Sequence, residues 1–170
     1  KYADNFITWG YNDNKKCIRK FNFKTIGTKY KFKKNGHLVI YFPWLYSSFY
    51  TLYNNHIDIF SKIKALASAI KKLDIDIKNK TILRFNRSYF KNFFGIKYFD
   101  LFKNLGFQFD DGSKHVKKLI KESKLNFFAY DSTGVLENLN LNIPTIFLNN
   151  KNYKDYLNEN FVNKYEILYD

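Results

Sequence analysis

The loop at residues 130–137 carries the residue types that most favour a phosphorylated ligand. It joins an apolar segment to a helical pattern, with Ser132, Thr133 and Gly134 at the turn and Glu137 about one helical turn further on. A helix start offers unpaired backbone N–H groups and a partial positive charge, and glycine lets an anion approach the backbone. Glu137 could accept hydrogen bonds from sugar hydroxyls. The alternative is an ordinary helix cap, with Ser132 or Thr133 as N-cap and Glu137 closing a capping box.

A second anion-binding candidate is Arg84, which stands inside an apolar segment and is followed by Arg87. A buried guanidinium needs an anion or a carboxylate partner. The two arginines could therefore grip a phosphate. The alternative is a structural ion pair of Arg84 with Asp100, Asp110 or Asp111.

Aromatic residues beside these loops could form one wall of a ligand site. Trp44 follows the first apolar run, and Tyr130 precedes the hydroxyl-rich turn. Such rings could lie against a base or a sugar. The alternative is that they pack in the core.

The sequence contains no pattern typical of a metal site, a disulfide, a nucleotide hydrolase or a nucleophile elbow. The histidines His37, His56 and His115 stand far apart, and the single Cys17 has no Cys or His neighbour at metal-ligand spacing, which excludes a zinc module and an internal disulfide. The sequence contains no Gly-rich phosphate loop of the nucleotide-hydrolase type and no nucleophile elbow. We therefore predict no metal and no cofactor.

Strand and helix patterns alternate along the chain. Apolar runs at 37–43, 81–85, 107–110, 125–130 and 143–148 predict five strands. Helical patterns lie at 57–73, about 98–105, 113–124 and 132–141, and a last one at 153–161. This alternation predicts a doubly wound, mostly parallel, Rossmann-like α/β sheet with flanking helices. Ligands bind outside the carboxyl ends of such strands, where the strand order reverses, and the candidate loops all follow predicted strands.

Length and composition predict one domain with its own core. The chain has 170 residues, of which 45% are hydrophobic, with only 2 Pro and 7 Gly, and this excludes a disordered or collagen-like polymer. No apolar stretch is long enough to cross a bilayer, and the first residues lack a signal-peptide core, so we expect a cytoplasmic location. Residues 37–170 are predicted to form the domain, and residues 1–36 a linker and edge segment. Because the chain begins with Lys1, we expect this segment to connect to a further domain upstream.

The net charge of +14 favours anionic ligands, such as nucleotide phosphates, nucleic acid or an acidic membrane face. The cations are mostly Lys and accompany an excess of Asn, Ile, Phe and Tyr, which an AT-rich coding sequence supplies whatever the function. We therefore do not predict a nucleic-acid partner. The Lys-rich segment at 29–34 is interpreted as a solvated edge strand.

Residues 111–147 resemble part of a known protein family. The segment includes Leu-Ile-Lys-Glu-Ser-Lys-Leu and ends in Tyr-Asp-Ser-Thr-Gly-Val-Leu-Glu-Asn-Leu-Asn-Leu-Asn-Ile-Pro-Thr-Ile-Phe. It is similar to the C-terminal half of bacterial transferases of surface-carbohydrate biosynthesis, the route to lipopolysaccharide O-antigen or capsule. Phe-Ile-Thr-Trp-Gly-Tyr at 6–11 and Ile-Leu-Arg-Phe at 82–85 extend the similarity upstream, so that it covers most of residues 1–150. At 89–94, Tyr-Phe-Lys-Asn-Phe-Phe replaces a Trp-rich loop of that family.

The resemblance implies a GT-B-like enzyme, in which two Rossmann-type domains face each other across a cleft and this chain is the second, donor-binding one. It implies that Ser132, Thr133, Gly134 and Glu137 hold the phosphates and the sugar of a nucleotide-activated sugar or polyol phosphate, with Arg84 as a phosphate clamp. A glycan would be the acceptor, and no metal would be required. The general base would come from the other domain, so we expect donor binding with little or no turnover by this chain alone.

Two alternative functions remain open at this point. A nucleotide-sugar epimerase of the same fold class would use the same phosphate-binding helix. A non-enzymatic basic module would bind polyanions through the net charge. For the transferase, a position at the inner face of the membrane, with peripheral contact to anionic lipid, is a further expectation.

Overall fold

The computed structural model describes residues 6–8, 17–19, 28, 30–31, 33–43, 56–91, 93–130, 132–149 and 168–169. Near the start of the chain, β1 (Phe6–Thr8) pairs in parallel with β2 (Cys17–Arg19) in a sheet of their own. The described residues of the Lys-rich segment 29–34 lie in no strand.

A parallel sheet follows, and it has the strand order of the Rossmann fold. Its strands are β3 (His37–Tyr41), β4 (Thr81–Arg84), β5 (Gln108–Asp110), β6 (Ser123–Phe128), β7 (Thr145–Asn149) and β8 (Leu168–Tyr169). They lie in the spatial order β5-β4-β3-β6-β7-β8, and each described ladder is parallel. The chain first moves outward from β3 to β5 and then returns to the other side of β3 with β6. The strand order therefore reverses between β3 and β6.

Helices cover both faces of the sheet. They are α1 (His56–Lys71), α2 (Ile75–Asn79), a 3₁₀ helix (Arg87–Phe90), α3 (Phe93–Asp100), α4 (Val116–Glu122) and α5 (Thr133–Asn140). Ile63 of α1 and Tyr98 of α3 pack with Ile40 of β3 on one face. Val135 of α5 packs with Val39 and Phe128 on the other face. The predicted doubly wound α/β sheet with flanking helices is thereby confirmed.

The larger core is built on aromatic rings. Phe85, directly after β4, is fully buried and lies within 6.5 Å, centroid to centroid, of the rings of Phe42, Tyr89 and Phe102, among others. Most of these pairs meet edge to face or tilted, which is the favoured geometry of aromatic contacts. The high aromatic content of the sequence thus fills the space between the sheet, α1 and α3.

Several predicted boundaries are corrected by the structure. The helix expected at about 98–105 begins earlier, at Phe93, and ends at Asp100. Gly95 lets it pack against the 3₁₀ helix, since a Cβ there would lie 2.3 Å from the Tyr89 carbonyl oxygen. The helix expected at 113–124 begins at Val116, after the N-cap His115, since Ser113 donates its backbone N–H to Asp111 in a turn of its own. Two elements were not predicted from the sequence: the short helix α2, which precedes β4, and the strand β8, which follows β7 along the chain. The helix predicted at 153–161 lies outside the described residues.

Among the helices of the described residues, none has the length and apolar character needed to cross a membrane.

Replacement of Phe85 by Ala tests the aromatic core. Because the ring is fully buried among other rings, we expect Phe85→Ala to lower the free energy of unfolding by about 3–5 kcal/mol. Phe93, with 65% of its surface exposed, is the matched control, and Phe93→Ala is expected to change stability by less than about 0.5 kcal/mol. Urea unfolding followed by circular dichroism measures both, and equal losses would contradict this account of the core.

Candidate functional site

A cavity opens where the strand order reverses. It has a volume of about 620 Å³, within the range of small-molecule sites, and it lies at the carboxyl ends of β3, β4 and β6, whose last residues Tyr41, Arg84 and Phe128 line it. The sequence-predicted residues in its lining are Arg84, Arg87, Tyr130, Ser132, Thr133, Gly134 and Glu137. Trp44, the other predicted wall residue, lies outside the described part of the chain. The structure thus brings together the candidate residues that it describes.

Ser132 caps the start of α5. Its side-chain oxygen accepts the Gly134 N–H at 3.1 Å, and its carbonyl oxygen accepts the Val135 N–H at 3.0 Å. These two backbone donors are therefore already paired within the protein. Thr133, whose side chain is exposed, shows no hydrogen bond to another described residue. At this helix start the groups available to a ligand are those of Thr133.

Glu137 is not part of a capping box. With Ser132 as N-cap, the capping-box position is Val135, and Glu137 lies in the following turn. Its half-buried side chain lines the cavity, and no ion pair or hydrogen bond joins its carboxylate to another described residue. It can accept hydrogen bonds from hydroxyl groups of a ligand.

Gly134 is required for helix packing. A Cβ at this position would lie 2.9 Å from the ring of Phe128, closer than van der Waals contact allows. That ring stacks on Tyr41 with 4.5 Å between centroids and 6° between planes. Glycine therefore lets α5 approach the end of β6, which is a reason additional to the expected approach of a phosphate.

A buried polar network fixes α5 to the sheet. Asn126 in the middle of β6 donates to the side chain of Asn138 at 2.8 Å and to Ser123 at 3.1 Å. Asn138 in turn donates to the carbonyl of Gly134 at 2.6 Å. Both asparagines are about 99% buried or more. The sequence analysis missed this network, although an Asn between the apolar residues of a buried strand was a signal for it.

Arg84 is held in an ion pair. Its guanidinium donates to the carboxylate of Asp110, which is almost fully buried, and to the carbonyl oxygen of Lys114 at 3.0 Å. Of the two alternatives for Arg84, the structure thus shows the structural pair, and the partner is Asp110. The pair joins the ends of β4 and β5 at the rim of the cavity, where Arg84 also contributes to the lining.

Two further cations line the cavity. Arg87 and Lys91, at the beginning and just after the end of the 3₁₀ helix, are both exposed. No salt bridge joins either of them to a described acidic residue. Lys91 was not singled out from the sequence, because its place beside the cavity depends on the turn of the 3₁₀ helix.

Two tyrosines near the strand ends are kept neutral by burial. Tyr41 is 6% exposed and Tyr89 is fully buried, and neither hydroxyl has a hydrogen-bond partner among the described residues. Burial raises the pKa of both phenols well above the ordinary value of 10.0. Tyr130 is half-buried, with its ring edge-to-face on Phe128 at 6.4 Å.

The described side chains include no cluster of three or more His, Cys, Asp or Glu that could hold a metal ion. The cavity instead combines cations and hydroxyls with the carboxylate of Glu137 and aromatic faces. This combination is suited to a ligand that carries both an anionic group and hydroxyl groups.

Comparison with known families gives a match over nearly the whole chain. The family model described as LIC12162 family transferase matches residues 1–168. Neither the comparison with curated proteins nor that with solved structures gave a match.

Replacement of Asn138 by Ala tests the polar network. The change removes the hydrogen bonds of Asn138 to the buried amide of Asn126 and to the carbonyl of Gly134, so we expect a loss of about 2–4 kcal/mol in the free energy of unfolding. The exposed Asn104 is the control, and Asn104→Ala is expected to stay within about 0.5 kcal/mol of the parent. Urea titration measures both, and a cost for Asn138→Ala no larger than that of the control would contradict the assignment.

The buried phenols predict a loss of stability at alkaline pH. In the unfolded chain the phenols of Tyr41 and Tyr89 have a pKa near 10.0, whereas burial raises both pKa values in the folded chain. Above pH 10.0 unfolding therefore releases protons, and the free energy of unfolding falls as the pH rises. We expect Tyr41→Phe and Tyr89→Phe each to reduce this fall. Urea unfolding at about pH 9 and about pH 11 measures it. An unchanged fall in the double variant would show that these phenols do not cause it.

Proposed function

Because the chain belongs to the LIC12162 family of transferases, we propose that it binds a nucleotide-activated sugar or polyol phosphate in the cavity at the carboxyl ends of β3, β4 and β6. The transferred group would pass to a glycan acceptor. The observation that carries the proposal is the position of the cavity. It lies where ligands bind in open α/β sheets, and its lining holds groups that have no partner among the described residues.

The lining residues match the parts of such a donor. The phosphates need cations and hydrogen-bond donors, which Arg87 and Lys91 supply. The sugar or polyol hydroxyls need hydrogen-bond partners, and the hydroxyl of Thr133 and the carboxylate of Glu137 are available for them. The ring of Tyr130 offers an apolar face to a base or a sugar. We therefore retain Thr133 and Glu137 as donor-binding residues and assign Ser132, Gly134 and Arg84 mainly to shaping the site.

The chemistry proposed for this chain is binding and charge stabilisation. When the bond to the transferred group breaks, negative charge grows on the departing phosphate, and fixed cations and N–H or O–H donors stabilise it. Among the described lining residues, Glu137 is the one carboxylate, and we assign it to donor hydroxyls. We therefore propose that the base that deprotonates the acceptor is not supplied here, so that the isolated chain binds donor with little turnover.

We also propose the biological setting that the sequence resemblance implies. The chain would act in the synthesis of a surface polysaccharide such as O-antigen or capsule, as the donor-binding part of a GT-B-like arrangement. It would work at the cytoplasmic face of the membrane. The net charge of +14 supports a peripheral contact with anionic lipid there.

A thermal-shift screen tests the proposed function. The chain is heated with UDP-, GDP-, CDP- and CMP-linked sugars and with CDP-glycerol, and we expect one nucleotide class to raise the melting temperature by mass action. Thr133→Ala and Glu137→Gln are expected to reduce that shift, since each removes one unpaired group from the cavity. Thr133 is exposed and Glu137→Gln keeps the size of a half-buried side chain, so both variants should fold as the parent does.

The same screen separates the alternative functions. Single-stranded DNA and heparin are included, and stabilisation by these polyanions alone, equal in parent and variants, would favour a basic binding module over a transferase. An epimerised donor formed without acceptor would favour an epimerase. Transfer to a glycan acceptor by the isolated chain would contradict the proposed lack of turnover.

A further inference from the structure

The 3₁₀ helix and the residue after it place three polar groups beside the cavity. Arg87 and Lys91 line the cavity, and neither forms a salt bridge with a described residue, although Arg87 lies near enough to Asp111 to attract its carboxylate. Ser88 also lines the cavity, and its hydroxyl oxygen is buried and has no hydrogen-bond partner in the described part of the chain. A buried hydroxyl without a partner costs free energy, so a ligand that accepts its hydrogen bond recovers that cost.

The geometry of the helix places these groups together. In a 3₁₀ helix, side chains three residues apart lie on the same face, and Ser88 and Lys91 have this spacing. The backbone N–H of Lys91 donates to the carbonyl of Ser88 at 3.3 Å, which closes the turn between them. Tyr89, in contrast, is fully buried in the aromatic core. The helix thus divides its residues between the core and the cavity.

The turn is held in place before a ligand arrives. Asn86 accepts the backbone N–H of Ser88 at 3.0 Å and caps the helix. Gly112, with φ of +85°, lies against it, and a Cβ there would come within 3.2 Å of the Arg87 nitrogen. On the far side, α3 contacts the helix through Gly95. Such preorganisation lowers the entropy cost of ordering the binding groups.

Two other candidates for an anion contact, Arg84 and Ser132, are already engaged. Arg84 donates to Asp110 and to the carbonyl of Lys114, so its charge is compensated inside the protein. At the start of α5, Ser132 already accepts two backbone N–H groups. On the α5 side of the cavity stands Glu137, whose negative charge disfavours a second anion close by.

We propose that Arg87, Ser88 and Lys91 form an anion subsite that takes the phosphate end of the ligand, while the α5 side of the cavity takes its hydroxyl-bearing end. This orientation differs from the one expected from the sequence, in which the start of α5 held the phosphates. The identity of the complete ligand rests on the proposed function. The anion subsite itself requires only a phosphate group.

Calorimetric titration of the full chain with inorganic pyrophosphate tests the subsite. We expect Arg87→Gln and Lys91→Gln each to weaken binding about tenfold, because each removes a charge-assisted contact, and Ser88→Ala to weaken it less. Lys80→Gln is the control. Lys80 is exposed and immediately precedes β4, whereas Arg87 lies beyond the other end of that strand. Lys80→Gln therefore removes the same positive charge without changing a residue of the cavity. Thr133→Ala is expected to leave pyrophosphate affinity nearly unchanged.

The possible results separate the subsite from the proposed function. No pyrophosphate binding, or an equal loss in Lys80→Gln and the two subsite variants, would overturn the anion subsite. A loss confined to Thr133→Ala would place the anion at α5 and overturn the orientation. If pyrophosphate binds as expected but no nucleotide sugar displaces it, the subsite stands and the proposed donor is wrong. Thermal unfolding of each variant verifies that these surface changes leave the fold intact.

Discussion

The central position of β3 is the constraint on which the rest of the structure depends. It pairs in parallel with β4 on one side and with β6 on the other. The connections to its two sides cross opposite faces, with α1 and α3 on one face and α5 on the other. The helices therefore diverge above the carboxyl ends of β3 and β6, and the space between them is the cavity. Asn86, two residues after β4, and Tyr130, two residues after β6, line this cavity.

The polar groups around the cavity divide into two sets. One set is satisfied within the protein and fixes the walls: Arg84 with Asp110 joins β4 to β5, and Asn126 with Asn138 joins β6 to α5. The other set, which includes Thr133, Glu137, Arg87 and Lys91, lines the same cavity without a hydrogen bond or salt bridge from its side chains to the described residues. Groups of the first set make the site rigid, and those of the second are free to contact a ligand. This division favours binding of a ligand that is anionic at one end and rich in hydroxyls at the other.

The sequence predicted the fold and the location of the site better than the roles of single residues. Apolar runs and helical spacing suffice to predict parallel strands, and strand-to-helix loops such as 130–137 then mark the cavity because the topology leaves few places for it. Pairing between distant segments could not be derived in the same way. The choice of Asp110 over two other aspartates for Arg84, and the contact of Asn126 with Asn138, depend on strand register and helix rotation. Lys91 was missed for the same reason, since a 3₁₀ turn brings it to the cavity.

Backbone NMR of the chain titrated with the nucleotide sugar that stabilises it most would test most directly whether this cavity is the ligand site. At 20.5 kDa the chain is well suited to amide chemical-shift mapping. The structure predicts the largest shifts at Arg87, Ser88, Gly112, Thr133 and Glu137, on both walls of the cavity. Small shifts are predicted at α2 and at the amino ends of the strands. Shifts spread evenly over surface lysines, or concentrated away from the carboxyl ends of β3, β4 and β6, would contradict the account.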